Sequence, residues 1–270
     1  MSDHAKNFRA LHHQPAPLIL ANAWDAGSAR LIESLGAKAI ATTSAGVDWT
    51  LGYADGNLLP IPKLAELAAN ITRVITVPLT VDFEAGYADD PAEVGENIKP
   101  ILDAGAVGVN LEDGGDPPAL LAAKIERLKK IAASKGVDLF INARTDVYLR
   151  GLAPADQRVA ESLARAKIYR EAGADGLFVP AVTAESEIRR IAAGAALPLN
   201  VLVRPGLAPA KDLAAWGVKR LSAGSGIAQM AWGYIADLTR DFLEKGESGP
   251  LTGSDMPYGE LQALFAKANL

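Results

Sequence analysis

The chain has 270 residues, 49% of them apolar and 22% charged, with a formal net charge of −5 and no cysteine. Mild acidity argues against a nucleic-acid partner, which would need a basic face, and the missing cysteines exclude a disulfide framework, a thiolate zinc site and a catalytic thiol. Residues 1–9 are polar rather than signal-like and no apolar run is long enough to cross a bilayer, so a cytoplasmic protein without a membrane partner is expected.

Taken in chain order, short apolar runs predict strands at 18–22, 38–43, 78–84, 106–112, 138–143, 176–180, 199–203 and 219–223. Asp25 reads as the N-cap of the first helix. Helices over Ile61–Val74, Pro91–Asp103, Pro117–Lys135 and Pro154–Glu171 follow, their early prolines suiting a first turn. One joint recurs four times, with Gly36, Gly105, Gly173 and Gly217 each standing between a helical stretch and a short apolar run. Glycine there is the residue that leaves the helix in the left-handed conformation. Strands alternating with helices over about 250 residues predict an α/β fold, the (β/α)8 TIM barrel. A doubly wound open sheet competes, but no Gly-x-Gly-x-x-Gly follows the first strand. Residues 1–270 read as one barrel domain. Its helix at 227–245, its linker from 246 and a last helix over 257–268 lie beyond the minimal barrel, and their apolar residues want a neighbouring subunit as cover.

Barrel sites gather at the C-terminal ends of strands. The stretch Pro78 to Tyr87 delivers Asp82 and Glu84, which, two apart on the expected strand, share one face and point the same way. The neighbouring strands end in Thr42 to Gly46, in Asn110, Glu112 and Asp113, and in Asn142, Arg144 and Asp146. Asp82, Glu84 and Glu112 are hard oxygen donors of the kind Mg2+ or Mn2+ takes. The competing reading is ion pairing of the carboxylates with Arg144 or a lysine, with no metal. Arg144 offers a planar fork for a carboxylate or phosphate. Ser44, with the N–H groups of Ala45 and Gly46, offers an anion cradle, or Ser44 merely caps a turn. A metal facing an anion pocket suits a small-molecule 2-oxo carboxylate. Asn200, at the start of the seventh strand, reaches this substrate if the strand phase is right. Asp113 and Asp146 read as loop or cap residues, and His4, His12 and His13 are expected to face solvent, leaving no histidine base.

In content and order, Asn22 to Arg30, Thr43 to Gly46, Leu51 to Asp55, Val81 to Tyr87, Asn110 to Asp113 and Ile141 to Asp146 resemble the isocitrate lyase/phosphoenolpyruvate mutase superfamily. The resemblance implies a Mg2+-dependent barrel enzyme that makes or breaks C–C or P–C bonds through the enolate of a 2-oxo acid. It implies that Asp82, Glu84 and Glu112 hold the metal, directly or through water, and that Asp55 supports that shell. Ser44, Ala45 and Gly46 would take the substrate carboxylate and Arg144 its other anionic end. It also implies a homotetramer or homodimer in which the final barrel helix is swapped between subunits.

Departures from the pattern matter equally. The cysteine-bearing gating loop of the isocitrate and methylisocitrate lyases is missing, and Glu112-Asp113 runs through Gly114 to Pro118 straight into a helix. Thr42 stands where those lyases have tyrosine, Glu84 where many members have aspartate, and Ala54 where many have proline. The mutase's loop lysine and asparagine are missing too. What remains suits a lyase that cleaves or decarboxylates a small oxaloacetate-like 2-oxo or 2-hydroxy dicarboxylate. The alternatives are a phosphoenolpyruvate- or phosphonopyruvate-type mutase or hydrolase, and a 2-oxo acid-binding protein with reduced catalysis.

Overall fold

A computed structural model describes residues 3–253 and 256–266. Its parallel strands are β1 (Leu18–Leu20), β2 (Asn22–Ala23), β3 (Ile40–Thr42), β4 (Leu79–Asp82), β5 (Gly108–Glu112), β6 (Phe140–Arg144), β7 (Gly176–Phe178), β8 (Leu199–Leu202) and β9 (Val218–Ser222). Their order is β1-β9-β8-β7-β6-β5-β4-β3-β2. The expected first strand is broken at Ala21, its first half pairing with β9 and its second with β3, and this wraps the sheet into the (β/α)8 barrel. Gly36, Gly105, Gly173 and Gly217 all have positive φ, between 92° and 104°, so the four joints end their helices as the sequence pattern requires.

The helices are α1 (Asp3–Leu11), α2 (Ala26–Ser34), α3 (Ser44–Thr50), α4 (Ile61–Val74), α5 (Pro91–Asp103), α6 (Pro118–Ser134), α7 (Arg158–Glu171), α8 (Glu185–Gly194), α9 (Ala210–Ala215), α10 (Gly226–Lys245) and α11 (Tyr258–Ala266). Asp25 caps α2 and exchanges bonds with Ser28 in a capping box. The helix expected from Pro154 begins at Arg158 instead, after a turn. Residues 267 and 268, expected in the last helix, lie outside the described residues. Among those described, no helix is long and apolar enough to cross a membrane.

Two apolar clusters follow from strand alternation. Outward-facing Val81, Val109, Leu111, Ile141 and Leu177 pack against the helices. A smaller cluster of Leu18, Leu20, Ala41, Val107 and Phe140 fills the N-terminal end of the barrel, where Ala5 and Phe8 of α1 close it. The expectation that His12 faces solvent is corrected here. His12 is buried, its ring stacks on Phe140 with centroids 4.1 Å apart, and Nδ1 lies 2.9 Å from the Phe8 carbonyl. The plug fits closely, since a Cβ on Gly108 would sit 2.7 Å from the Phe8 ring.

Candidate active site

Residues two apart on a strand share a face, and the inward set above the apolar plug is polar. Arg220, wholly buried, donates to Asn110 Oδ1 at 3.2 Å, and Asn142 donates to the same oxygen at 2.9 Å. Two donors on its oxygen turn the Asn110 amide so that Nδ2 faces Asp82 Oδ1, 3.5 Å away. Burial pulls the Arg220 guanidinium down to about 9, with Asp82 working against that. Asn200 lies in this interior layer, wholly buried, its Oδ1 accepting from Ser222 Oγ at 3.2 Å.

At the C-terminal mouth, Asp82 ends β4, and its Oδ2 accepts the Ser44 N–H at 3.3 Å. Glu84 is not on the strand, contrary to the expected run through 84. It sits in the following turn with φ +45°, so its direction comes from the turn and not from strand alternation. Asn57 fastens that turn. Its N–H donates to Glu84 Oε2, and its own Oδ1 accepts the N–H groups of Ala85 and Tyr87. Asn57 and Tyr87 also have φ near +59°. A left-handed residue other than glycine costs about 1–2 kcal/mol, and such strain concentrates at functional sites.

Glu84 Oε1 and both carboxylate oxygens of Asp48 are buried without a hydrogen-bond partner. One oxygen from each of Asp48, Asp55 and Glu84 lies within 4.8 Å of the others. Burial, then Glu84, Asp55 and Asp82, push the Asp48 carboxyl up to about 7. Burial likewise raises Glu84, against the Tyr87 hydroxyl and the Asn57 N–H. Asp48 was not foreseen as a site residue. It arrives on α3, a short helix between the second and third expected strands.

Glu112 and Arg144 end neighbouring strands in register and pair at 2.6 Å. Arg144 is thus the partner of Glu112, while Asp82 and Glu84 have no ion pair with it among the described residues. Arg144 also makes two bonds to Asp146, at 2.7 and 3.0 Å. Three of its five N–H donors are occupied, leaving two for a ligand. Burial pushes the Glu112 carboxyl up to about 7 against the pull of Arg144. Arg144 itself is held above its ordinary value, Glu112 and Asp146 overcoming its burial.

Asp113 and Asp146, read as loop or cap residues, are buried anchors instead. Asp113 accepts the Asp146 N–H, the Tyr169 hydroxyl and the Arg165 guanidinium, so it fixes the backbone that carries Arg144 and Asp146. Ser44, Ala45 and Gly46 form the first turn of α3. The Ser44 N–H is already given to Asp82, and a Cβ at Gly46 would meet Thr43 and Trp24 at 2.8 and 2.9 Å, so that glycine serves close packing.

Donor chemistry bears on what the mouth can hold. It presents oxygen donors only, several of them buried and unpartnered, while Arg144 is engaged elsewhere. That set fits a hard divalent cation such as Mg2+ or Mn2+.

Comparison with known proteins agrees in extent. A family model described as phosphoenolpyruvate phosphomutase matches residues 8–243. A solved structure from Burkholderia cenocepacia J2315, carrying a provisional phosphonomutase assignment, is 39% identical, with a TM-score of 0.84 over 88% of this chain and 100% of that one. The 2-methylisocitrate lyase of Salmonella typhimurium is 31% identical over 71% of this chain and 67% of its own. The oxaloacetate decarboxylase of a Bradyrhizobium species is 29% identical over 89% and 84%.

Proposed function

Because the chain belongs to the phosphoenolpyruvate phosphomutase family, we propose that it is a Mg2+- or Mn2+-dependent lyase that decarboxylates or cleaves a small oxaloacetate-like 2-oxo dicarboxylate. The observation that carries the reading is the set of buried, unpartnered carboxylate oxygens at the barrel mouth, together with an arginine at the end of β6 that has two N–H groups to spare. The 29% identity to an oxaloacetate decarboxylase over most of both chains supports the substrate class.

Asp82, Glu84 and Glu112, with Asp55 behind them, would hold the cation directly or through water. When bound, it would draw electron density onto the 2-oxo group and steady the product enolate. The rest is done by side chains. Arg144, locked in orientation by Asp146, takes the distal carboxylate through its free N–H groups. The first turn of α3 takes the proximal one through the Ser44 hydroxyl and the N–H groups of Ala45 and Gly46, the Ser44 N–H being held by Asp82. Asn200 supports this pocket from below through the Ser222 and Arg220 layer. With the substrate so held, the bond from C3 to the departing carbon breaks, its electron pair stays on C3 and the 2-oxo group, and solvent returns a proton to C3.

Turnover of oxaloacetate, with and without Mg2+, by wild type and Asp82→Ala tests the reading. Mg2+-dependent turnover by wild type alone is expected. Equal rates in all four cases, matching free metal, would refute it.

The same proposal keeps the enzyme cytoplasmic, as a single domain over 1–270 that assembles as a homodimer or homotetramer. Ala228 is the only buried residue of α10, while Met230, Trp232, Tyr234, Phe242 and Leu243 are exposed. An apolar cavity of about 600 Å3 lies beside the outer face of β1, lined by Leu18, Ile19, Leu31 and Leu35. A helix from a second copy would cover both.

A further inference from the structure

Asp48 has an unusual position for a carboxylate. It is fully buried, and neither carboxylate oxygen accepts a hydrogen bond. Its backbone is pinned, the carbonyl accepting N–H groups from Leu51 and Tyr53 as α3 ends, so the side chain cannot swing out without unwinding that turn. The charged groups that bear on it are Glu84, Asp55 and Asp82, all acidic. Among the described residues no basic side chain pairs with it. Arg144 is committed to Glu112 and Asp146, and Lys124 Nζ donates to the Ala85 carbonyl at 2.8 Å. Buried carboxylates are ordinarily paired, hydrogen-bonded or bound to a metal, and the first two are missing here.

The surroundings fit the third. Oxygens of Asp48, Asp55 and Glu84 lie within 4.8 Å of one another, and Glu84 Oε1 is as unpartnered as Asp48. The Asn57 bonds to the Glu84–Tyr87 turn bring the loop bearing Asp55 against Glu84. Asp48 and Glu84 form a buried floor and Asp55 an exposed rim, which leaves a path for a hydrated ion. Hard cations that keep several waters bind through a few carboxylates arranged this way.

We propose that Asp48 is a ligand of the divalent cation, binding it together with Asp55 and Glu84. This rests on the reading that the barrel mouth is a metal site and adds Asp48 to the carboxylates that would hold the metal there. Asp48 to Asn keeps size and shape while removing the charge.

The experiment follows free Mn2+ by electron paramagnetic resonance while wild type, Asp48→Asn and Asp55→Asn are titrated, with melting of each protein measured in the presence of chelator and of Mn2+. Wild type is expected to bind Mn2+. Both variants should bind at least ~10-fold more weakly, a loss that even a supporting residue of a metal site produces. Asp48→Asn should melt higher than wild type in chelator, with its gain on adding Mn2+ reduced, a reversal that a merely structural aspartate would not give. Asp55 is exposed, so its variant reports on the site even if Asp48→Asn folds poorly; wild-type affinity in Asp55→Asn overturns the three-carboxylate site. Wild-type Mn2+ affinity in Asp48→Asn overturns the ligand assignment and leaves the metal reading standing. No Mn2+ binding by wild type removes both.

Discussion

His12 makes a stability prediction whose sign and size follow from its surroundings. The ring is stacked on Phe140, edge-on to Phe8, with Nε2 buried and unpartnered. Burial, followed by the Arg220 charge, lowers its pKa from 6.5 to about 3, against the opposing Nδ1 bond to the Phe8 carbonyl. The folded protein therefore keeps the ring neutral where the unfolded chain would protonate it. Stability is fully present above pH 6.5 and is lost as pH falls from there towards 3. Each unit within that window costs about 1.4 kcal/mol, so wild type should lose about 2 kcal/mol between pH 6.5 and 5 through this residue. Asp48 and Glu112, with raised pKa values, act in the opposite sense, gaining stability as pH falls through about 7. Comparison with His12→Phe cancels them. Urea unfolding of both proteins at pH 7, 6 and 5 should show the difference between them shifting by about 2 kcal/mol in favour of the variant. A difference that stays constant across that range would refute the reasoning, whatever the variant's absolute stability.

Two further outcomes are expected. Tyr169→Phe removes a 2.6 Å buried bond to Asp113 and should lower urea-unfolding stability by about 1–3 kcal/mol; a change under about 0.5 kcal/mol would show that Arg165 and the Asp146 N–H satisfy Asp113 alone. Light scattering at micromolar concentration should return a multiple of the chain mass, reduced to a single chain in a Trp232→Glu, Leu243→Glu double variant; a monomeric wild type would reject the assembly proposed for α10.

Much of the barrel was legible because it is written in local chemistry. Helices end at glycines that alone tolerate positive φ at low cost, and prolines stand in the first turns of α4, α5 and α6. What escaped depends on distant partners. In α1, Ala5 and Phe8 are apolar residues in a largely polar stretch, and it is the folded barrel, through Leu18, Leu20, Val107 and Phe140, that gives them and His12 an interior. Asp113 looks like any loop acid until Arg165 and Tyr169, more than fifty residues later, close on it. At the site, strand alternation correctly turned Asp82 and Glu112 inward, but it could not place Glu84, whose direction is set by a left-handed turn and by Asn57. Asp48 carried no signal of its own, since a short helix with one acid is ordinary until both oxygens prove to lack donors.

The break at Ala21 has a bearing on how the chain acquires its shape. Leu18 to Leu20 meet Arg220 to Ser222, and the Asn22 side chain accepts the Gly224 N–H across 202 residues while donating to Thr42. On a ribosome, the first strand emerges long before its second neighbour exists. Until β9 is made, the growing sheet has two raw edges and Asn22 has half its bonds. Contacts of such separation form late and set the pace of folding. The unfinished sheet is the species a chaperone or an aggregate would meet, and the contact that turns it into a barrel is among the last the chain can make.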